Sequence, residues 1–399
     1  MRFVPLATVL AVSVLLQVSA PATASANGTN SHLWITLEAR DRLPGGELKQ
    51  LLSRPELQAA LQNGACFPDG GYVLSDAYGE MAHWEPFYLA YMDWIRTHFE
   101  KPYAANPEAA LHVAFLMGMA SHGLADQVYD SLFMNVARVK DAAGWSSELL
   151  KDFDTATDTF FVAATGINVE FEPWAPSSVL SDVYLGAFGY SVTPNTLDNA
   201  QRALAVVRAY PRAAAQNAAR LAEYRAAYPW TDAHMMDARV PGGPITEAAL
   251  VSAYLQVMWD RLNGAPSPED LIIGTTPSHR AGGQPTDHTR VESQVGVVFG
   301  HAIDDTSLSA DSVTVTDATG RRYAVDLSMW RTQSNVLRLR PRADWPANKL
   351  LTVTLRPGLR TIDGMTLTVA QSFDFSTAAA TASAPLPGHL DPTPNDQHP

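Results

Sequence analysis

The stretch Ser121-His122-Gly123-Leu124-Ala125-Asp126-Gln127-Val128-Tyr129-Asp130 decides the fold of the first half of the chain. It lies inside Glu108–Val139, where Ala, Leu, Met, Phe and Val recur at helical spacing, most densely from Phe115 to Phe133. His122, Asp126 and Asp130 stand at i, i+4 and i+8. Each four-residue step turns about 400°, so the three side chains drift only about 40° per step along one helix face. An imidazole and two carboxylates on an apolar face are costly unless they are paired or share a cation. Zinc accepts His nitrogen and Asp oxygen, so the spacing suits half of a metal site. An exposed, hydrogen-bonded His-x3-Asp pair has the same signature.

Working outward, residues 27–265 keep this texture and predict an all-α domain. Helices are expected over Ser31–Arg42, Arg54–Asn63, Tyr78–Glu100, Glu108–Val139, Trp145–Thr165, Asn195–Tyr228 and Thr246–Leu262. Pro107 with Glu108, and Pro244 with Thr246, suit first helical turns. From Gly264 to Gln284 the composition turns to Gly, Pro and Ser, which reads as a linker plus strand entry, and residues 266–284 are expected as a linker. Residues 285–377 then predict an all-β sandwich of about seven short strands. These are Val295–Phe299, Ser312–Asp317, Arg322–Leu327, Val336–Pro341, Leu350–Leu355, Leu367–Val369 and Gln371–Ser376. Residues 378–399 lack apolar periodicity and are expected to be disordered.

Residues 1–26 have Arg2, an apolar run from Phe3 to Val18, and the small-x-small steps Ala22-Thr23-Ala24 and Ala24-Ser25-Ala26. This predicts a secretory signal peptide and a secreted, periplasmic or cell-surface protein. No later stretch is long and apolar enough for a membrane span. Cys66 is the one cysteine of 399 residues, so no internal disulfide can form.

The chain carries 28 Lys and Arg against 41 Asp and Glu, a formal charge of −13. That balance, without any basic block, excludes a nonspecific binder of duplex DNA or anionic membranes. The acidity is concentrated: residues 27–265 hold 27 acidic and 16 basic side chains. Nothing in the sequence sets an oligomeric state.

Other segments of the helical half carry metal-capable side chains. They are Ser31-His32-Leu33-Trp34-Ile35, Phe67-Pro68-Asp69-Gly70-Gly71-Tyr72, Ala82-His83-Trp84 and Asp154-Thr155-Ala156-Thr157-Asp158. Asp69 between Pro68 and Gly70 is also an ordinary turn residue, and His32 beside Trp34 also suits a satisfied core histidine. Asp154 and Asp158 repeat the i, i+4 spacing. Two like charges so placed destabilise a bare helix, and a shared cation reverses the sign. A solvated acidic face has the same pattern. Periodicity alone does not join His32, Asp69 and His83 to the helix of His122.

Taken in order, these segments resemble the zinc-dependent phospholipase C family, which includes the catalytic domain of glycosylphosphatidylinositol-specific phospholipase D and is related in fold to single-strand-specific nucleases. The resemblance rests on Ser31-His32-Leu33-Trp34-Ile35, on Asp69 followed by His83-Trp84, and on His122-x3-Asp126 after an apolar run. It implies a multidomain chain, with an all-α zinc-dependent phospholipase C-like domain before the all-β sandwich. It further implies that Asp69, His83, His122 and Asp126 hold one zinc. Asp126 would bridge to a second zinc, held also by His32 and, in several relatives, by the mature α-amino group. Asp69 would orient or deprotonate the attacking water as well as ligate. Where relatives use histidines for a third site, this chain has Asp130, Asp154 and Asp158. Such an all-oxygen set suits Ca2+, Mg2+ or Mn2+ better than zinc, leaving a site weak for zinc or empty. The sandwich resembles bacterial Ig-like domains, with attachment, spacing or substrate docking as its expected part.

The leading expectation is therefore a secreted hydrolase of phospholipid or other phosphodiester substrates. Alternatives are a nuclease of the related fold and a non-catalytic surface protein that retains the fold. Trp34, Tyr72 and Trp84 stand near the motifs, either as core or as pocket lining.

Overall fold

The computed structural model describes residues 27–142, 147–238, 240, 242–265, 271–276 and 294–377. The expected leader 1–26, the tail 378–399 and most of the expected linker lie outside the described residues. The helices are α1 (Thr29–Arg42), α2 (Glu47–Leu52), α3 (Gln58–Cys66), α4 (Asp69–Leu74), α5 (Tyr78–Ala82), α6 (Glu85–His98) and α7 (Pro107–Val128). Then follow α8 (Asn135–Ala142), α9 (Ser147–Thr165), α10 (Ser177–Phe188), α11 (Pro194–Gln216), α12 (Ala218–Ala227), α13 (Pro229–His234) and α14 (Pro244–Leu262).

Several expected helices are divided, each for a local reason. Tyr78–Glu100 breaks at His83 and Trp84, because Pro86 occupies the first turn of α6 and a proline there forbids a continuous helix through it. Asn195–Tyr228 breaks at Asn217, whose side chain caps α12 by accepting from Ala219 and Arg220 N–H. Glu108–Val139 changes to a π-helical turn over Tyr129–Met134. Asp69 opens a short helix instead of a turn, and α10 was not expected.

Helix α7 is the axis of the domain: every residue from His112 to Val128 is buried. Its partner α3 crosses at a contact of glycines. A Cβ on Gly64 would meet Phe115 O at 2.2 Å, and one on Gly118 would meet Leu61 O at 2.2 Å. Only glycine lets the two backbones approach so closely. That approach brings Ala65 O within 2.8 Å of His122 Nδ1.

The C-terminal half is all-β. Two four-stranded antiparallel sheets, ordered β1-β2-β6-β5 and β4-β3-β7-β8, enclose one core. The strands are β1 (Ile272–Thr276), β2 (Val295–Phe299), β3 (Val313–Asp317), β4 (Arg322–Tyr323), β5 (Val325–Met329), β6 (Val336–Pro341), β7 (Leu350–Leu355) and β8 (Gln371–Ser376). The first strand falls inside 266–284, the stretch expected as linker, and pairs with β2 from Ile272↔Phe299 to Thr276↔Gly296. Leu367–Val369 is not a strand, although Thr366 makes an isolated bridge to Arg360.

Every residue of β1 and β2 is buried. Side chains alternate between the two faces of a strand, so both faces of this sheet are covered. Val295, Val297, Phe299 and Leu337 face the sandwich core. Ile273, Val298 and Val336 join the core of the helical half. A buried polar seam runs beside this contact. Glu85 accepts from Arg261 (2.8 Å), Tyr254 OH (3.0 Å), Ala302 N (3.0 Å) and Asn335 Nδ2 (2.9 Å). Arg261 also reaches Asp363 at 2.9 Å, and Asp363 meets His301 at 2.9 Å. Asparagine, arginine and backbone donors thus compensate a carboxylate with no solvent exposure.

Candidate metal centre

Four short segments converge on the middle of α7. His122 and Asp126 lie on adjacent turns of that helix, His83 at the end of α5, Asp69 at the start of α4, and His32 in the first turn of α1. Each is held from behind. His83 Nδ1 lies 2.6 Å from Gly79 O, and His122 Nδ1 lies 2.8 Å from Ala65 O. A carbonyl only accepts, so both Nδ1 atoms carry a proton, and each ring in its neutral, metal-binding form presents its lone pair at Nε2.

Those lone pairs meet. His83 Nε2 and His122 Nε2 are 3.0 Å apart. Asp126 Oδ2 is 3.1 Å from His122 Nε2 and 3.4 Å from His83 Nε2, and Asp69 Oδ1 is 3.6 and 3.9 Å from the same two atoms. Donor atoms about 2.0–2.1 Å from a tetrahedral zinc stand roughly 3.3 Å from one another. The spacing of His83, His122 and Asp126 is close to that of three such ligands, with Asp69 slightly farther from both imidazoles. Asp126 Oδ2 is buried and makes no hydrogen bond.

The other oxygen of Asp126 faces a different set. His32 Nε2 is 3.0 Å from Asp126 Oδ1, and Asn27 N donates to the same oxygen at 3.2 Å. His32 has no solvent exposure and its Nδ1 makes no hydrogen bond. Burial pulls its pKa down, but the Asp126 carboxylate facing its Nε2 outweighs that pull and raises it. A buried imidazole beside a carboxylate accepts either a proton or a metal ion in that place. Its ring stacks on His122 at 3.7 Å between centroids. Among the described residues, two groups could hold a metal ion: His83–His122–Asp126 and His32–Asp69–His122.

The electrostatics follow from burial against charge. Burial favours neutral His83, but the Asp126 and Asp69 carboxylates outweigh it and raise its pKa to about 10. Burial and the neighbouring His32 push His122 down. Burial opposes the charge on Asp126, yet His32 and His122 hold its carboxyl well below the usual range. The cluster is a strong trap for positive charge, whether proton or metal ion.

The expected third, oxygen-rich set does not assemble. Asp158 Oδ2 accepts from Asn30 N (3.2 Å) and Asn30 Nδ2 (2.8 Å), and its Oδ1 accepts from Ser31 N (2.8 Å) and Ser31 Oγ (2.9 Å). These donors fill a carboxylate's acceptor sites. Asp158 is a cap supplied from another helix. The N-cap of α1 is Gly28, which has no side chain, and a Cβ there would meet Asp158 Cβ at 2.2 Å. Asp130 stands in the π-helical turn, off the regular α register that its spacing assumed. Burial and the charges of Asp126 and Asp154 raise its pKa well above the carboxylate range. Asp130, Asp154 and Asp158 form no common ligand group among the described residues.

Other residues enter without a sequence signal. Glu247, in the first turn of α14, is fully buried and accepts from Asn27 Nδ2 at 2.8 Å. Burial raises its pKa well above the usual value. In sequence it looks like any first-turn acid. Glu80 accepts from Tyr72 OH (2.6 Å), Trp84 Nε1 (3.0 Å) and Arg331 Nη1 (2.6 Å), which ties two of the expected aromatics to the site's edge. Trp34 instead packs edge-on against Phe161 at 5.3 Å. No described helix is long and apolar enough to cross a membrane.

Residues 269–377 match the family of bacterial Ig-like domains, which are typical of bacterial surface or extracellular proteins. The CopC structure from Methylosinus trichosporium OB3b is 14% identical, covering 29% of this chain and 98% of that one at a TM-score of 0.21, a likeness that fixes neither fold nor function. Among curated proteins, the phosphatidylinositol-glycan-specific phospholipase D of Mus musculus is 33% identical over 116 residues, and that of Bos taurus 35% over 115. These matches cover 27% and 26% of this chain and only 14% and 13% of the relatives' own lengths. The chain thus combines a C-terminal Ig-like domain with a region weakly similar to a phospholipid-hydrolysing enzyme.

Proposed function

We propose that the chain is a metal-dependent phosphodiester hydrolase of the zinc phospholipase C type, acting on phospholipid headgroups. The observation that carries this reading is the double engagement of Asp126. One oxygen faces His83 and His122, and the other faces His32 and Asn27. A carboxylate so placed suits two cations side by side. Asp69, His83, His122 and Asp126 would hold one zinc, and Asp126 with His32 the second. Zinc held there would supply a Lewis acid that neutralises phosphodiester charge and activates water.

The chain's own residues do the rest. The carbonyls of Gly79 and Ala65 keep both Nε2 atoms free to ligate by holding the Nδ1 protons. Asp69 is the most exposed of the set, with 16% of its side chain open, and so stands on the substrate side. From there its second oxygen can orient the attacking water and take its proton. Similarity to phosphatidylinositol-glycan-specific phospholipase D supports a phospholipid phosphodiester as substrate. In the reading with a cleaved leader, Asn27 N would be an α-amine beside Asp126 and would offer a further nitrogen to the second zinc. A Met-extended Asn27 form should then bind the second zinc more weakly.

The test incubates zinc-loaded protein with phosphatidylcholine, phosphatidylinositol, a glycosylphosphatidylinositol and single-stranded DNA. Release of phosphorylated headgroup, lost in Asp126→Asn, is the expected result. Nucleotide release alone would assign a nuclease, and no turnover of any substrate would leave a non-catalytic protein.

A further inference from the structure

The Ig-like domain bonds to residues next to the candidate metal ligands. Its segment Trp330–Asn335, between β5 and β6, is fastened at two points to the helical half. At one, Ser334 Oγ and Asn335 N donate to Gln127 Oε1 at 2.8 and 2.7 Å. Gln127 is the residue after Asp126. At the other, Asn335 Nδ2 donates to Glu85, two residues after His83. The turn holds Gln333 at φ 61°, a left-handed conformation that a non-glycine residue adopts only when its surroundings impose it.

Arg331 stands earlier in the same segment. Its Nη1 donates to Glu80 at 2.6 Å, and its guanidinium lies 5.2 Å from the Trp84 ring centroid. Glu80 in turn binds Tyr72, whose ring is 5.1 Å from that of His83. Arg331 is one-third exposed, and its remaining guanidinium N–H groups donate to no described residue. Its charge also reaches Asp130, where it opposes the upward push of burial and of Asp126 and Asp154. A half-committed guanidinium beside a cluster that collects cations is suited to an oxyanion of phosphate, which Arg binds with two parallel N–H groups.

We propose that Arg331 is a substrate-binding residue of the metal site, contacting a non-bridging oxygen of the phosphodiester, so that the Ig-like domain completes the active site. This rests on the phosphodiesterase reading above and goes beyond a spacer or attachment role. The turn's bonds to Gln127 and Glu85 and the Trp84 ring beside the guanidinium hold Arg331 in place, and Glu80 competes with phosphate for its N–H groups.

The probe is inorganic phosphate, titrated calorimetrically into the zinc-loaded full chain. Arg331→Gln should weaken phosphate binding about tenfold or more, and Arg331→Lys, which keeps the charge but not the fork, should fall between. Glu80→Gln breaks the same interdomain ion pair while leaving the cation, so its phosphate affinity should hold or rise. Equal binding by wild type and Arg331→Gln, or no phosphate binding by wild type, overturns the proposal. So does a loss in Glu80→Gln as large as that in Arg331→Gln, since the role would then be structural. With a turnover substrate, Arg331→Gln should raise KM more than it lowers kcat. Wild type that binds phosphate yet turns over no phosphodiester would sink the phosphodiesterase reading and leave the anion contact standing.

Discussion

Asp158 takes the backbone N–H of Ser31 at 2.8 Å and its hydroxyl at 2.9 Å, and the next residue along the chain is His32. The carboxylate on α9 therefore ends the first turn of α1 and aims an imidazole at Asp126. It does from a distance what a Ser, Thr or Asp N-cap does locally, at a position where Gly28 has no side chain to offer.

Removing that cap should cost stability before it costs metal. Asp158→Ala leaves the N–H groups of Asn30 and Ser31 and the Ser31 hydroxyl without their acceptor in a buried place. A loss of about 1–3 kcal/mol in urea unfolding follows. Zinc content at saturating metal should stay at the wild-type value. Loss of a zinc with unchanged stability would return Asp158 to the ligand set.

The two faces of Asp126 make separable predictions for metal. His83→Ala should lose the zinc shared with His122 and Asp69, His32→Ala the other, and Asp126→Asn both, as read by metal analysis after dialysis. Free zinc at about 100 times its dissociation constant should stabilise the wild type by about 2.7 kcal/mol. A chelator should remove that gain in thermal unfolding. Identical stoichiometry in His32→Ala and wild type would remove His32 from the ligand set.

The residues differ in how far the sequence exposes them. His122 and Asp126 were legible because both sit on one helix, where spacing alone sets direction. The change from helix to strand was legible for the same reason, since each half keeps its own period. Asp158 was readable only as half of an i, i+4 acid pair, and a ligand pair and a cap supplied to another helix look alike in sequence. Asn27 and Glu247 meet across 220 positions, and no local pattern encodes that contact. Strand β1 was legible only as a strand entry within the linker, because both its faces are buried, which removes the alternation that marks a half-exposed strand. The bonds from Ser334 and Asn335 to Gln127 belong to the same class of long-range contact, and so the part of the Ig-like domain at the site stayed out of view.

The glycine crossing of α3 and α7 ties packing to the site. Gly118→Ala places a methyl 2.2 Å from Leu61 O and 2.7 Å from Ala65 N, both backbone atoms that cannot swing aside. The helices must separate, at a cost of about 1–3 kcal/mol. The same movement draws Ala65 O away from His122 Nδ1 and frees the ring to turn. Gly118→Ala should therefore weaken zinc binding, although residue 118 is no ligand. Equal zinc affinity in a destabilised Gly118→Ala would show that the crossing serves packing alone.

The interdomain seam should give the protein an acid limit. Burial favours the neutral form of Asp363, but the hydrogen bond with His301 and the Arg261 guanidinium outweigh it and hold the carboxyl well below the usual range. An Asp of depressed pKa contributes stability that is fully present above its unfolded value, about 3.9, and is lost as pH falls toward its folded value. Between about pH 5 and pH 8 this carboxylate should add a constant increment. Below about pH 4 the increment should fade, leaving Glu85 as the remaining carboxylate partner of Arg261. Asp363→Asn should lower the melting temperature at pH 7, and the gap between variant and wild type should narrow steadily below pH 4. A gap that stays constant down to pH 2 would mean that Asp363 contributes through its shape and hydrogen bonds alone, with no part for its charge.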